Sequence, residues 1–204
     1  MKNYLCINGK KTELTKEQMK QFGIIQDPIA SLSADGKTAK IGEFEFIVLK
    51  NNATTGIVEL LLKNTLGEDM VFGNTNDFRA SKVKTILDGF AKDVEKIIGA
   101  ENLLEHSVDL TALDGMKDYG SVKTKMSLLT LDQYREHVET LEKDRLDAWW
   151  WLVTPWSTPK HDYSKTVACV APSGRVNYFN GYCNDYGVRP FLVFVSSILV
   201  SCEE

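Results

Sequence analysis

The chain has 204 residues, 43% of them hydrophobic and 25% charged, with a net charge of -4. That is long enough to bury the core of one domain, and too ordinary a composition for a disordered or fibrous protein. Interleaved charges with an acidic balance offer no basic face, so nucleic acid is not expected as a partner.

In chain order, Tyr4 to Ile7 reads as a strand that turns at Asn8-Gly9. Thr15 with Gln18 makes a capping box for a short helix stopping at Gly23. Asp27-Pro28 and Ser33-Ala34-Asp35-Gly36 punctuate a loop. Residues 1–40 are therefore expected as an appendage, a docking element for a homo-oligomer or a particle, ahead of a domain over 41–204. Phe44 to Leu49 reads as a half-buried strand. A turn at Asn51-Asn52 and Gly56 joins it to Ile57 to Leu62 as a hairpin. From Arg79 to Ile98, the residues Val83, Ile86, Leu87, Phe90, Val94, Ile97 and Ile98 recur at helical spacing, closed by Gly99. Val108 to Leu110 and Met126 to Leu129 are short strands, and Thr130 with Gln133 opens a helix to about Glu142. Beyond Asp147 the texture is all-β, with strands at Trp149 to Val153, Thr166 to Ala171 and Val188 to Val195. Ser173-Gly174 and Gly181 supply the turns. The class is α+β: two helices flank a mostly antiparallel sheet whose C-terminal end is loop-rich.

The early Asn and Gly break the N-terminal apolar stretch too soon for a signal peptide, and the longest apolar runs are strand-length. The expectation is synthesis in a reducing cytoplasm with no membrane insertion. Cys6, Cys169, Cys183 and Cys202 lack metal-ligand spacing, so no metal is expected. A Cys169–Cys183 bridge is geometrically possible, but free thiols are the expectation in that compartment.

All four tryptophans lie between Trp149 and Trp156, and four of the seven tyrosines follow as Tyr163, Tyr178, Tyr182 and Tyr186. Phe179, Asn177, Asn180, Asn184 and Asp185 are interspersed with them. Tyrosine mixed with Asn, Ser and Gly is the composition of antibody binding loops, where rigid rings give contact area and small polar groups adapt. In a strand, Trp149, Trp150 and Trp151 alternate between faces, so at least one is core. The expected ligand-binding residues are His161, Asp162, Tyr163, Ser164, Asn177, Tyr178, Phe179, Asn180, Tyr182, Asn184, Asp185 and Tyr186. Trp150, Trp151, Val188 and Arg189 are the expected scaffold, with Asp109 or Asp147 as partner for Arg189.

No catalytic residues and no cofactor are expected. His106, His137 and His161 are scattered, and no nucleophile elbow, phosphate loop or dinucleotide fingerprint occurs. Asp109 with Asp114 is a pair of loop acids of the kind that turns commonly carry.

Trp150-Trp151-Leu152 with Thr154-Pro155, Val170 to Gly174, and Gly187-Val188-Arg189-Pro190 resemble a domain of unknown function widespread in Firmicutes and their phages. His106 to Thr111, Asp114-Gly115, Tyr119-Gly120 and Ser127 to Thr130 extend the resemblance, which covers roughly residues 40 to 195. It implies a variant of the C-type lectin fold, related in architecture to formylglycine-generating enzymes. The calcium motifs of true C-type lectins are absent.

The chain is also similar to the variable proteins of diversity-generating retroelements. There, randomised adenines in Asn-type codons yield Tyr, Ser, Asp, His, Gly, Cys or Phe, but never Lys, Glu, Gln, Met or Trp. Every residue from Asn177 to Tyr186 is reachable in this way, as are His161, Asp162, Tyr163 and Ser164. What the resemblance implies is a non-catalytic display protein of a phage or prophage, binding a protein or glycan surface. A fixed assembly domain of the same fold is the alternative, and a formylglycine-generating-like oxidoreductase the third reading.

Overall fold

The computed structural model describes residues 4–7, 10–15, 18, 30–183 and 185–201. The turn expected at Asn8-Gly9, the helix expected to stop at Gly23, the Asp27-Pro28 loop and Asn184 lie outside the described residues. Strands β1 (Tyr4–Ile7) and β2 (Lys10–Glu13) pair antiparallel. Thr15 and Gln18 exchange both hydrogen bonds of the expected capping box.

The main sheet is built on the predicted hairpin, β5 (Phe44–Asn52) and β6 (Ile57–Leu62). It also takes in β3 (Ala30–Leu32) and β4 (Thr38–Ile41), where the sequence reads a loop. Ser33 to Gly36 is the turn between them, held by the Asp35 carboxylate accepting from the Ser33 hydroxyl and the Lys37 amide. At the far side β14 (Phe191–Val195) pairs with β6, and two short strands pair with β14, β7 (Leu103–Leu104) and β10 (Met126–Ser127). β15 (Val200–Ser201) runs parallel to β3 at the other edge.

This sheet is covered on both faces, so consecutive residues are buried together: Phe46 with Ile47, Leu60 with Leu61, and Phe191 with Leu192. Phe46, Val58, Leu60 and Leu192 face α1 (Lys82–Ile98), against Val83, Leu87 and Phe90. Ile47, Leu61 and Phe191 face the other way, against Tyr134, Leu141 and Trp150. The predicted helix start at Arg79 is a 3-10 turn, Phe78–Ala80, and α1 begins only after Ser81, whose hydroxyl accepts the Lys84 amide as an N-cap. The weak spot at Asp88-Gly89 does not break the helix, because the Lys84–Asp88 ion pair spans it and the apolar stripe stays packed.

The second predicted helix is split. Thr130 and Gln133 form the capping box, but the helix pauses at His137 (φ -108, ψ 12), giving α2 (Leu131–Glu136) and α3 (Val138–Leu141). A separate three-stranded sheet, β11 (Trp150–Pro155), β12 (Thr166–Val170) and β13 (Val176–Asn180), is antiparallel throughout. β8 (His106–Asp109) and β9 (Ser121–Thr124) form a further hairpin. Mixed α and β with antiparallel sheets is the class the sequence predicts. The chain has no described helix long and apolar enough to cross a membrane.

Candidate functional site

The site starts from a rigid frame. Consecutive tryptophans of β11 are driven to opposite faces, so Trp151 packs into the cluster under α1 while Trp150 packs into the cluster under α2. The Trp151 indole donates to the Met70 carbonyl at 2.9 Å. Gly187 lies where chains cross: its amide donates to the Trp149 carbonyl, and its carbonyl accepts the Trp151 amide. A Cβ at Gly187 would collide with the Thr65 side chain, so this crossing requires glycine. The strand expected over Val188 to Val195 starts later, at Phe191, because Val188 and Pro190 bond the end of β6 and the loop after it. The Val188 carbonyl accepts from Leu66 and the Pro190 carbonyl from Leu62.

Arg189 is 1% exposed, and its partners are neither Asp109 nor Asp147. It donates to the Leu62 carbonyl at 2.9 Å and the Lys63 carbonyl at 3.0 Å, and its guanidinium lies 5.0 Å from the Trp150 ring centre. Burial pulls its pKa down to about 10. The cation ties the end of β6 to the Gly-Val-Arg-Pro segment without a carboxylate, a solution spacing alone does not reveal.

On this frame sit the aromatic loops. Among the described residues five large apolar side chains are exposed, and four of them are Tyr163 (52%), Tyr178 (49%), Phe179 (36%) and Tyr182 (44%). Tyr178 and Phe179 alternate along β13, the Tyr178 ring stacking on Trp156 at 3.9 Å. Phe179 meets Trp149 edge-on. Tyr182 follows in the turn after β13, with the Lys165 ammonium 4.8 Å from its ring centre. That turn is pinned to the 157–166 loop, since the Gly181 amide donates to the Lys165 carbonyl. Tyr186 differs from the other three tyrosines. It is half-buried, stacked on Trp149 and tilted against Trp151, and burial raises its phenol pKa. Asn177 and Asn180 are half-buried on β13, while Asp162 and Asp185 are exposed.

The 157–166 loop owes its shape to a residue the sequence analysis did not single out. Asn76 is fully buried. Its side-chain amide donates to the Ser157 carbonyl at 2.9 Å and the Thr166 carbonyl at 3.1 Å, with the Tyr163 carbonyl at 3.4 Å. Its oxygen accepts the Tyr119 hydroxyl at 2.7 Å, and its backbone amide donates to the Ser164 carbonyl. The only sequence signal is an Asn in a polar Gly-Asn-Thr-Asn-Asp loop, which looks like a turn residue.

The same loop docks on the 111–120 loop through acids. The Asp114 carboxylate accepts the Ser157 hydroxyl at 2.5 Å and faces the His161 Nδ1 at 3.0 Å. Asp118 accepts the Thr158 hydroxyl at 2.8 Å and pairs with Lys160. The Ser157 bond foremost, then His161, holds Asp114 below the usual carboxylate range, and Lys160 foremost does so for Asp118. Ser157, Asp114 and His161 are the residue types of a hydrolase triad in the wrong order. The carboxylate sits between serine and imidazole, so the imidazole does not reach the hydroxyl. The arrangement braces a loop. His161 thus spends one ring nitrogen on Asp114, while Asp162 turns the chain at a positive φ of 60.

Cys169 and Cys183 are both free thiols, Cys169 buried and pushed up to about 12 by desolvation, Cys183 exposed. Among the described residues no three His, Cys, Asp or Glu side chains gather to hold a metal ion.

Residues 108–196, under half of the chain, match a family described as a domain of unknown function (DUF6273). The match runs from β8 through β14 and so contains the whole three-stranded sheet and both aromatic loops. No curated protein and no solved structure matches the chain.

Proposed function

We propose that this protein is a non-catalytic binding protein whose C-terminal aromatic loops engage the surface of a protein or glycan. The scaffold is read as C-type lectin-like, and the loops as the displayed segment of a diversity-generating retroelement carried by a phage or prophage. One observation carries the reading: four of the five exposed large apolar side chains among the described residues fall between Tyr163 and Tyr182. Clustered exposed rings mark recognition surfaces, and Tyr supplies anchors at low entropic cost.

The division of labour supports it. Hydrogen bonds from Asn76, Gly181 and Gly187 fix the loops, while the hydroxyls of Tyr163, Tyr178 and Tyr182 bond no other described residue. Side chains so placed can change identity at a cost below about 0.5 kcal/mol each. Neither the Ser157–Asp114–His161 brace nor the buried Cys169 thiol has the geometry of an activated nucleophile.

The test is binding of the labelled full chain to arrayed bacterial surface proteins and glycans. The triple variant Tyr163→Ala, Tyr178→Ala, Tyr182→Ala is expected to fold normally and to lose roughly 30-fold or more in affinity for whatever the native chain binds. Equal binding by both chains would place recognition elsewhere.

A further inference from the structure

We infer that the outer edge of β13 is a self-pairing surface, on which a second copy of this chain adds its own β13 antiparallel about a two-fold axis through Asn177. The inference goes beyond the ligand-binding reading and does not depend on it.

β12 and β13 keep one register from Val170↔Val176 to Thr166↔Asn180. Just beyond its two ends, the Ala171 amide donates to the Arg175 carbonyl and the Gly181 amide to the Lys165 carbonyl. Hydrogen-bonded pairs alternate with non-bonded ones in an antiparallel ladder, so Asn177 and Phe179 turn their backbone groups toward β12. Val176 and Tyr178 therefore turn both N–H and C=O outward. By that alternation these four groups do not bond β12, and among the described residues no turn, loop or cap bond uses them.

Natural sheet edges are blunted by charges, prolines, bulges or a covering element. From Val176 to Asn180 this edge carries no charge, no proline and no bulge, and Tyr178 and Phe179 are exposed beside it. The occupant that fits is the same strand reversed. A dyad at Asn177 sets Tyr178 against Val176 of the second copy, and Val176 against its Tyr178, closing four backbone hydrogen bonds. These are aromatic–β-branched cross-strand pairs, a favourable combination. Asn177 meets its own copy, amide to amide. Arg175 meets Phe179, so no like charges oppose each other. A dyad at Tyr178 instead would call on the Asn180 carbonyl, which already accepts the Cys183 amide at 3.3 Å. Pairing consumes the strand edge and leaves both sheet faces open. It joins two three-stranded sheets into one of six strands and sets two aromatic faces side by side for avid binding.

The experiment is oxidative cross-linking of the full chain in a Cys183→Ser background. Directly opposed residues in a non-bonded antiparallel pair have Cα atoms roughly 4.5 Å apart, within disulfide reach. Asn177→Cys is expected to give a covalent dimer, and Arg175→Cys, at a more exposed position but set against Phe179, is not. Sedimentation of the native chain is expected to show a concentration-dependent dimer that Asn177→Asp weakens about tenfold by opposing two carboxylates on the axis. Equal cross-linking at both positions, or a monomer at every concentration, overturns the inference. Neither readout involves a ligand, so loss of dimer and loss of binding are told apart.

Discussion

Replacing Asn76 by alanine is expected to destabilise the protein by about 4 kcal/mol and to loosen the 157–166 loop before anything else. The side chain has two amide hydrogens and one oxygen, fully buried, and all are used. Alanine takes the Asn76 partner from the Ser157 carbonyl and the Tyr119 hydroxyl, and leaves the Thr166 carbonyl with the Trp156 amide alone. Each such buried group costs about 1–3 kcal/mol. Asn76→Asp is expected to be at least as harmful, because it turns a carboxylate oxygen toward carbonyl oxygens 2.9 and 3.1 Å away. Tyr119→Phe, which removes the donor to the buried Asn76 oxygen and leaves the rest of its bonds, should cost less, about 2 kcal/mol. Denaturant midpoints give the energies. Amide exchange locates the effect, since the Asn76 amide protects itself on the Ser164 carbonyl and the Tyr163 amide on the Thr158 carbonyl. A loss under about 1 kcal/mol for Asn76→Ala would contradict its role as the hub of the loop.

The second large effect is a loss of stability on mild acidification, carried by His106. Its ring packs edge-on to Phe191 at 5.1 Å, and Nε2 lies 2.9 Å from the Ser127 hydroxyl. Nδ1 is buried with no partner at hydrogen-bonding geometry. The nearby Leu104 backbone favours the protonated ring, but desolvation outweighs it and lowers the pKa to about 4. Above the ordinary value near 6.5 the ring is neutral in both folded and unfolded chains. As pH falls below that, the unfolded chain binds a proton that the folded chain refuses, so stability drops. The drop reaches about 2 kcal/mol at pH 5 and about 3 kcal/mol once pH passes the folded value. His106→Gln, which can still reach Ser127 and does not titrate, should remove most of the loss between pH 7 and pH 5. Parallel denaturation curves at the two pH values check it, and identical losses in both chains would assign the acid sensitivity to other groups.

Much of this architecture is legible in the sequence, for identifiable reasons. The β5–β6 hairpin, α1 and the Thr130 capping box are local signals, readable over a few residues. Trp150 and Trp151 are legible as scaffold because strand alternation leaves consecutive large rings no choice but opposite cores. The exposed state of Tyr163, Tyr178, Phe179 and Tyr182 follows from composition, since amides and hydroxyls at that density resist burial.

What fails is whatever depends on contacts across the chain. Asn76 looks like a turn residue until Ser157 and Thr166, about eighty positions later, are brought to it. Arg189 suggests a carboxylate partner, yet its bonds go to carbonyls of Leu62 and Lys63, which have no sequence signature at all. β3 and β4 are hidden by the same Ser-Ala-Asp-Gly turn that joins them. Tyr186 shares the composition of the displayed loop, but the crossing at Gly187 carries its ring down onto Trp149 and Trp151. The pause at His137 leaves the backbone amide bonded to Gln133, so nothing in the local pattern announces it.

We propose that the 161–164 segment and residues 177–183, 185 and 186 form a displayed binding face on a fixed frame. The measurement that tests it most directly is deep sequencing of the gene and its flanks across a population of the source strain or its phage. The account predicts adenine-directed variation confined to His161–Ser164 and Asn177–Tyr186, beside a template repeat, with Asn76, Trp151, Gly187 and Arg189 unchanged. Uniform loops in every member of the population would contradict it, and would make the protein a fixed assembly domain whose aromatic face meets one constant partner.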